Sequence, residues 1–529
     1  MINEGIGVYR SLSLEQREAR LQRSGLKAAL TAGSKRKHLI TDTGVSVSPA
    51  RERRSVWEMT NSADVTYKAS NHGGRHRQRY SISVYNLAVR AITPLGAGPG
   101  MKGVRLSSYG LQEEGLVDHR SGGLLSASHS TEWEGFTIRE GHAEGYALNR
   151  LRQSIDAAGA NGSGVEEVDV GSWRGTRLSS GGRGTFRRDV DSLAIAALYS
   201  LGLDSGEVLL TAMGERQYVV EDVTPLAVAP GKPLPELYAS AARAVARSLA
   251  AEQPGRPGLL MGMDPEFLLL RVDTGRVVPA SRYLPMAGVA GCDAGPPGTR
   301  GAFPVAELRP KPRGEPRALL AQLMSAAATA DRLIADRTLA WRAGGMPLAG
   351  WALGGHLHFS GVTLTAPLLR ALDNYLALPI TLLEDARASS RRPRYGVLGD
   401  FRYQPHGGFE YRTLPSFLVS PVIAKGVVHL AHLIVSHYED LPLRPLDRED
   451  LHAAYYSGDR GPLRAAFAPL AAQIRALGGY EKAAPYIEPL LHYISAGRTW
   501  DESRDIRRLW RVGKPGEIIP AGHPNLSLK

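Results

Sequence analysis

The chain has 529 residues, 43% hydrophobic and 22% charged, enough apolar material for about two to four packed domains and too little charge bias for a disordered chain. Its single cysteine, Cys292, excludes an internal disulfide framework and any multi-cysteine zinc or iron–sulfur site. The net charge of +12 is uneven: residues 1–100 hold 16 Lys/Arg and 7 Asp/Glu, a net +9. No apolar run reaches the length of a membrane span, and the opening MINEGIGVYRSLSLEQREAR lacks the apolar stretch of a secretory signal. A reducing cytoplasm is therefore the expected location, with no membrane partner.

In chain order, residues 1–100 show no sustained periodicity. SGLKAALTAGSKRKH, PARERRS and NHGGRHRQR surround weak apolar fragments such as Tyr80–Val89, and low hydrophobicity with high charge predicts a poorly ordered basic segment. It is the one candidate for nucleic-acid contact, which is not expected because no aromatics are interleaved with its arginines. Residues 101–250 read as a small α/β module and linker. GANGSG (159–164) and SSGGRG (179–184) predict loops, EEVDVGSW a strand, DVDSLAIAALYSLGL a helix ending near Gly202, and VLLTA with RQYVVEDV a strand pair. PLAVAPGKPLPE is a Pro-rich linker, followed by an Ala-rich helix at 235–251. From 251 to 440 short apolar strands alternate with turns around one long predicted helix, about 315–341. The part from 441 to 529 reads as helical, with Thr499–Glu502 as a capping box opening the helix DESRDIRRLWRV. His429, His432 and His437 fit a packed helix better than a ligand set.

The chemistry concentrates in pairs of polar residues two apart, each in a strand-like segment. They are Asp264/Glu266 in LLMGMDPEFLLL, Glu307/Arg309 in FPVAELRP, His356/His358 in GWALGGHLHFSG, Asp400/Arg402 in YGVLGDFRYQ and Glu410/Arg412 in GGFEYRTLPS. Residues i and i+2 of a strand share a face. Neighbouring strands would therefore gather these groups on one polar face, where burial is tolerable only if the charges are paired or bound to metal. Carboxylates suit a hard ion such as Mg²⁺, and arginines present forks to phosphate or carboxylate. Each pair alone has a plainer reading: a turn for Asp-Pro-Glu, packed histidines for His-x-His, a cross-strand ion pair for Glu-x-Arg. Their recurrence carries the case. No GxxxxGK[ST] is present, which disfavours a P-loop site.

In this order and spacing, G-x-DPEF, ELRP, GGH-x-H, RYG-x-x-GDFR and G-x-EYR-x-LPS over roughly 258–420 resemble the phage phiEco32-like COOH·NH2 ligase type 2 group of the glutamine synthetase/glutamate–cysteine ligase superfamily. The resemblance implies an α+β fold, a curved, mostly antiparallel sheet with a concave active-site face packed by helices, here with a small α/β N-terminal module. It implies ATP and Mg²⁺ or Mn²⁺ as cofactors, and small-molecule or peptide carboxylate and amine substrates joined through an acyl phosphate. Residue by residue it implies metal ligation by Asp264, Glu266, Glu307, His356 and Glu410. His358, Arg309, Arg394 and Arg402 would contact nucleotide phosphate or substrate, with Glu266, Arg394 and Arg412 as catalytic groups. Ala352-Leu353 stand where glutamine synthetase has an Asn before the glycines. A zinc-dependent amide hydrolase using His356 and His358 and an inactive, ligase-like binding protein are the rival readings. The substrates' identity and the oligomeric state stay open.

Overall fold

The computed structural model describes residues 3, 5–31, 78–95, 104–105 and 180–512, with breaks at 215, 229–231, 297, 300 and 406. They fall almost wholly in one compact unit, residues 1–110 with 186–529. Of the second, residues 111–185, only the backbone of Ser180–Thr185 is described. The expected strand EEVDVGSW and the GANGSG loop lie outside the described residues.

A smaller antiparallel sheet is built from β1 (Arg79–Tyr85), β2 (Ala88–Leu95), β3 (Val104–Arg105), β4 (Gly206–Gly214) and β5 (Gln217–Pro225), in the order β3-β2-β1-β4-β5. Alternation buries Ile82 and Val84 of β1 against Val208 and Leu210 of β4 and Val190, Ala194, Ala197 and Leu198 of α3 (Ser180–Ser200). Two further helices, α1 (Ile6–Ser11) and α2 (Leu14–Arg23), contribute Leu12 and Leu21 to the same core. A capping box of Ser13 and Gln16 opens α2.

The expectation of a poorly ordered residue 1–100 segment is thus corrected for 5–31 and 78–95. Their mean hydropathy is low because only every second strand residue, or one helix stripe, is apolar. Their burial partners lie more than a hundred residues away in sequence. The helix α3 also begins at Ser180, inside the SSGGRG stretch expected as a loop.

The larger sheet holds β6 (Leu260–Arg271), β7 (Val277–Val278), β8 (Ala290–Asp293), β9 (Val305–Leu308), β10 (Leu339–Arg342), β11 (Gly355–Ser360), β12 (Phe401–Tyr403) and β13 (Phe409–Tyr411). Its path is β12-β13-β11-β6-β9-β8, β7 and β10 also pairing with β6, and every pairing is antiparallel. One face is apolar: Met261, Met263, Phe267, Leu357, Phe359, Phe409 and Tyr411 enter the main core with α4 (Pro316–Leu333) and the helices of the C-terminal part. On the other, Leu268, Leu270 and Val305 meet Leu353, with Leu348 and Trp351 packed against them, in a small separate cluster.

Two expected helices are shorter than the sequence suggested. The one at 315–341 stops at Leu333, Asp336 turns the chain by accepting from Thr338 N at 2.9 Å, and residues 339–342 pair with β6 as β10. No helix opens at Thr499–Glu502. The Glu502 carboxylate instead accepts from the backbone N–H of Gly345 at 2.6 Å and of Met346 at 2.7 Å, and only Arg507–Trp510 is helical. His429 lies, as expected, in a buried helix, Pro421–Ser436.

The N-terminal helices are fastened to the C-terminal part by charge as well as by packing. Buried Arg20 reaches Glu449 at 2.7 Å and the carbonyl of Asp447 at 2.5 Å, and Arg23 pairs with Glu449 too. Beside them His452 is buried, and burial, helped by Arg20 and Arg23, holds its imidazole well below the ordinary 6.5. Such a group stabilises the fold above pH 6.5, where it is neutral in both states. That contribution is lost as pH falls below 6.5, because the unfolded chain then binds the proton first. Between about pH 7.5 and about pH 5 the unfolding temperature should fall more steeply for the natural chain than for His452→Gln. Equal slopes would remove His452 as the cause.

Candidate active site

Register assembles the site. Arg402 of β12 stands opposite Glu410 of β13, Glu410 opposite His358 of β11, His356 opposite Asp264 of β6, and Glu266 opposite Glu307 of β9. The pairs legible in the sequence therefore lie on one face of one sheet, opposite the apolar core, with Arg309 and Arg412 just beyond the ends of β9 and β13.

Asp264 is the centre. Its Oδ2 is 2.9 Å from His358 Nε2, and its Oδ1 is 3.1 Å from His356 Nδ1. That Nδ1 is also 3.3 Å from Glu410 Oε1. Burial opposes the Asp264 charge, but its two histidine neighbours outweigh it and hold the carboxyl below its ordinary value. The same burial would lower His356, yet the Asp264 bond and charge raise its imidazole to about 9.

The other carboxylates are crowded. Glu307, with a side chain only 6% exposed, is pushed up to about 8 by burial and by the Asp264 charge, although Arg309 pairs with it. Burial also raises Glu266, whose Oε2 accepts from Gly354 N at 2.7 Å. Glu410, 3% exposed, is held by Arg412, by Gln404 Nε2 at 2.9 Å and by Arg402 at 3.6 Å. Arg412 in turn reaches Asp400 at 3.8 Å.

Gly354 is required by a close approach. A Cβ there would sit 2.3 Å from His356 Nε2, displacing the ring from Asp264. The backbone of β6 is fixed from the same loop region, since Glu266 N donates to Gly354 O at 3.0 Å and Ser416 Oγ to Glu266 O at 2.5 Å.

These donors fit a divalent cation. Asp264, His358 and Glu410 offer ligand atoms within 4.8 Å of one another. Asp264 Oδ1 is buried with the His356 ring, at 3.1 Å, as its neighbour, and crowded carboxylates such as Glu307 are the groups a cation would relieve. The resemblance placed His356 on metal and His358 on phosphate, whereas the group that closes on one point contains His358. Both rings touch Asp264.

Arg394 stands apart from the cluster. It is exposed, with its guanidinium 5.6 Å from the Tyr395 ring centroid. In the run Arg391-Arg392-Pro393-Arg394 the buried members are Arg391, which donates to Thr413 O at 2.6 Å, and Arg392, on Glu384 at 2.8 and 3.1 Å. Gln404 and Ser416 lie outside the five pairs legible in the sequence.

The architecture is that of an α+β protein carrying an acid–histidine–arginine site on one face of an antiparallel sheet. The family model for the phage phiEco32-like COOH·NH2 ligase type 2 proteins matches residues 261–512, which hold every side chain of this site. Among solved structures the chain is similar to a bifunctional glutathione synthetase from Pasteurella multocida, at 11% identity and a TM-score of 0.31 over 50% of this chain and 49% of that one. It is also similar to a novel glutamine synthase homolog, at 14% identity and a TM-score of 0.19 over 52% of this chain and 79% of that one. The chain thus spans about half the length of the glutathione synthetase, and both likenesses are distant. No curated protein matches it. Among the described residues no helix is long and apolar enough to cross a membrane.

Proposed function

We propose that the protein is an ATP-dependent carboxylate–amine ligase that forms an amide bond through an acyl phosphate. The observation that carries this reading is the shared face of Asp264, Glu266, Glu307, His356, His358 and Glu410, within residues that match a carboxylate–amine ligase family. A substrate carboxylate oxygen attacks the γ-phosphorus of ATP, the bond to the bridging oxygen breaks, and ADP leaves. An amine then attacks the acyl carbon, loses a proton and expels inorganic phosphate.

In this reading Asp264, Glu266, Glu307, His356 and Glu410, joined by His358, hold Mg²⁺ or Mn²⁺. The bound cation screens the repulsion between the anionic carboxylate and the γ-phosphate. Arg402, 62% exposed and only loosely paired with Glu410, is free to turn to phosphate. Arg309 and Arg412, now on Glu307 and Glu410, would be available to phosphate or substrate were those carboxylates to serve as cation ligands. Arg394, exposed beside Tyr395, is a further phosphate-binding group in this proposal. The substrates are small-molecule or peptide acids and amines.

The test is amine-dependent release of ADP and phosphate across a panel of acids and amines with Mg²⁺ or Mn²⁺. A protein that binds no nucleotide yet hydrolyses amides with zinc would overturn the reading. A second expected result concerns Gly354. Because the added methyl displaces His356, Gly354→Ala should weaken Mn²⁺ binding by about 10- to 100-fold, read by titration calorimetry. Unchanged affinity would remove His356 from the ligand set.

A further inference from the structure

Behind the sheet, on the face away from the site, one buried carboxylate ties together three separate parts of the chain. Asp373, 2% exposed, opens a five-residue π-helical turn, Asp373–Ala377, an irregularity frequent at functional sites. Its Oδ1 accepts from Tyr411 OH at 2.7 Å and its Oδ2 from Tyr199 OH at 2.8 Å, and it accepts as well from the backbone N–H of Gly399. Tyr411 is, with Phe409, an inward residue of β13, so its neighbours Glu410 and Arg412 flank a side chain that Asp373 holds. Gly399 leads through Asp400 into β12, which carries Arg402. At φ +71 it also lies so close to the Tyr199 ring that a Cβ would sit 2.2 Å from Cε1. The third tie, Tyr199, belongs to α3, the helix whose Ala194, Ala197 and Leu198 pack on the smaller sheet.

We propose that Asp373 is a positioning residue that fixes β12 and β13, and with them Arg402, Glu410 and Arg412, and that Tyr199 makes this positioning depend on the N-terminal module. The proposal rests on the ligase reading only in taking Glu410 and the arginines as the groups being aimed. A buried carboxylate with three converging donors is suited to the task. Each bond is strong because the carboxylate is buried, and losing one leaves a buried partner less well satisfied. β13 has only three residues and β12 three, so their own ladder bonds hold them weakly.

The test uses the full-length chain with Tyr199→Phe, which removes one oxygen and no carbon, and Asp373→Asn. Hydrogen–deuterium exchange is followed for residues 397–414 and, as reference, for 260–271, together with Mn²⁺ affinity. Exchange in 397–414 is expected to quicken about tenfold in Tyr199→Phe while 260–271 stays unchanged, since one bond of the hub is lost and β6 does not touch it. Mn²⁺ affinity should fall about 10-fold or more in both variants, because a supporting partner of a ligand strand has been removed. Uniform quickening, or no change in 397–414, overturns the proposal. If Asp373→Asn does not fold, Tyr199→Phe decides. Local quickening in a chain whose natural form binds neither Mn²⁺ nor ATP would leave the positioning role standing and reject the ligase reading.

Discussion

Glu266→Gln is expected to lower ATP turnover by about three orders of magnitude and to leave the chain at least as stable as before. The substitution keeps the side chain's size and the oxygen that accepts from Gly354 N. What it removes is one negative charge from the proposed cation site. A metal acting on a phosphoryl oxygen is worth several kcal/mol, and about 4 kcal/mol corresponds to roughly a thousandfold in rate. In the absence of cation that charge is a burden on the fold. Burial raises the Glu266 pKa, and its charge adds to the rise at neighbouring Glu307. Neutralising it relieves the crowding, so function and stability should move in opposite directions. Thermal unfolding beside the ADP-release assay measures both. Full turnover in a folded variant would exclude Glu266 from the site.

Removing residues 1–100 is expected to abolish folding of the remainder. The sequence suggested a poorly ordered basic segment, but β1 is an interior strand of the smaller sheet, between β2 and β4. Its loss would strip Ile82 and Val84, together with Val89, Ile92, Leu12 and Leu21, from a core that Val208, Leu210 and Leu198 then expose. At about 1.5–3 kcal/mol for each buried aliphatic side chain, the loss is on the order of 10 kcal/mol, comparable with the whole stability of a typical domain. The edge of β4 would be left unpaired, inviting aggregation. Glu449, deprived of Arg20 and Arg23, would lose both its partners. Soluble yield and the far-ultraviolet spectrum of chain 101–529 decide the matter, and a soluble, cooperatively melting product would contradict it.

The i, i+2 pairs could be read directly from the sequence because strand periodicity is local: whichever strand pairs with β6, Asp264 and Glu266 must point the same way. The apolar alternation of Met261, Met263 and Phe267 said which face would be core. By contrast, Arg391, Arg392 and Arg394 are alike in sequence. Only the short 3-10 helix Ala386–Arg391 and the position of Glu384 decide that the first two turn inward and the third stays in solvent. The helix read at Thr499–Glu502 fails for a similar reason. A local capping pattern competes with two backbone N–H groups at Gly345 and Met346 that are brought to Glu502 by the fold, and the buried donors win.

By itself, then, the sequence determined the chemistry of the site face and the strand-like segments that carry it, since both follow from residue type and a two-residue repeat. Tertiary structure alone decided three other things. It set the register that puts His356 against Asp264 and Glu266 against Glu307, and it placed residues 5–31 and 78–95 in the folded core. It also brought Tyr199 and Tyr411, 174 and 38 residues from Asp373, to one carboxylate. Such contacts form because burying apolar faces and satisfying buried donors favours one arrangement of the whole chain, and no local pattern records which distant segment will supply the partner.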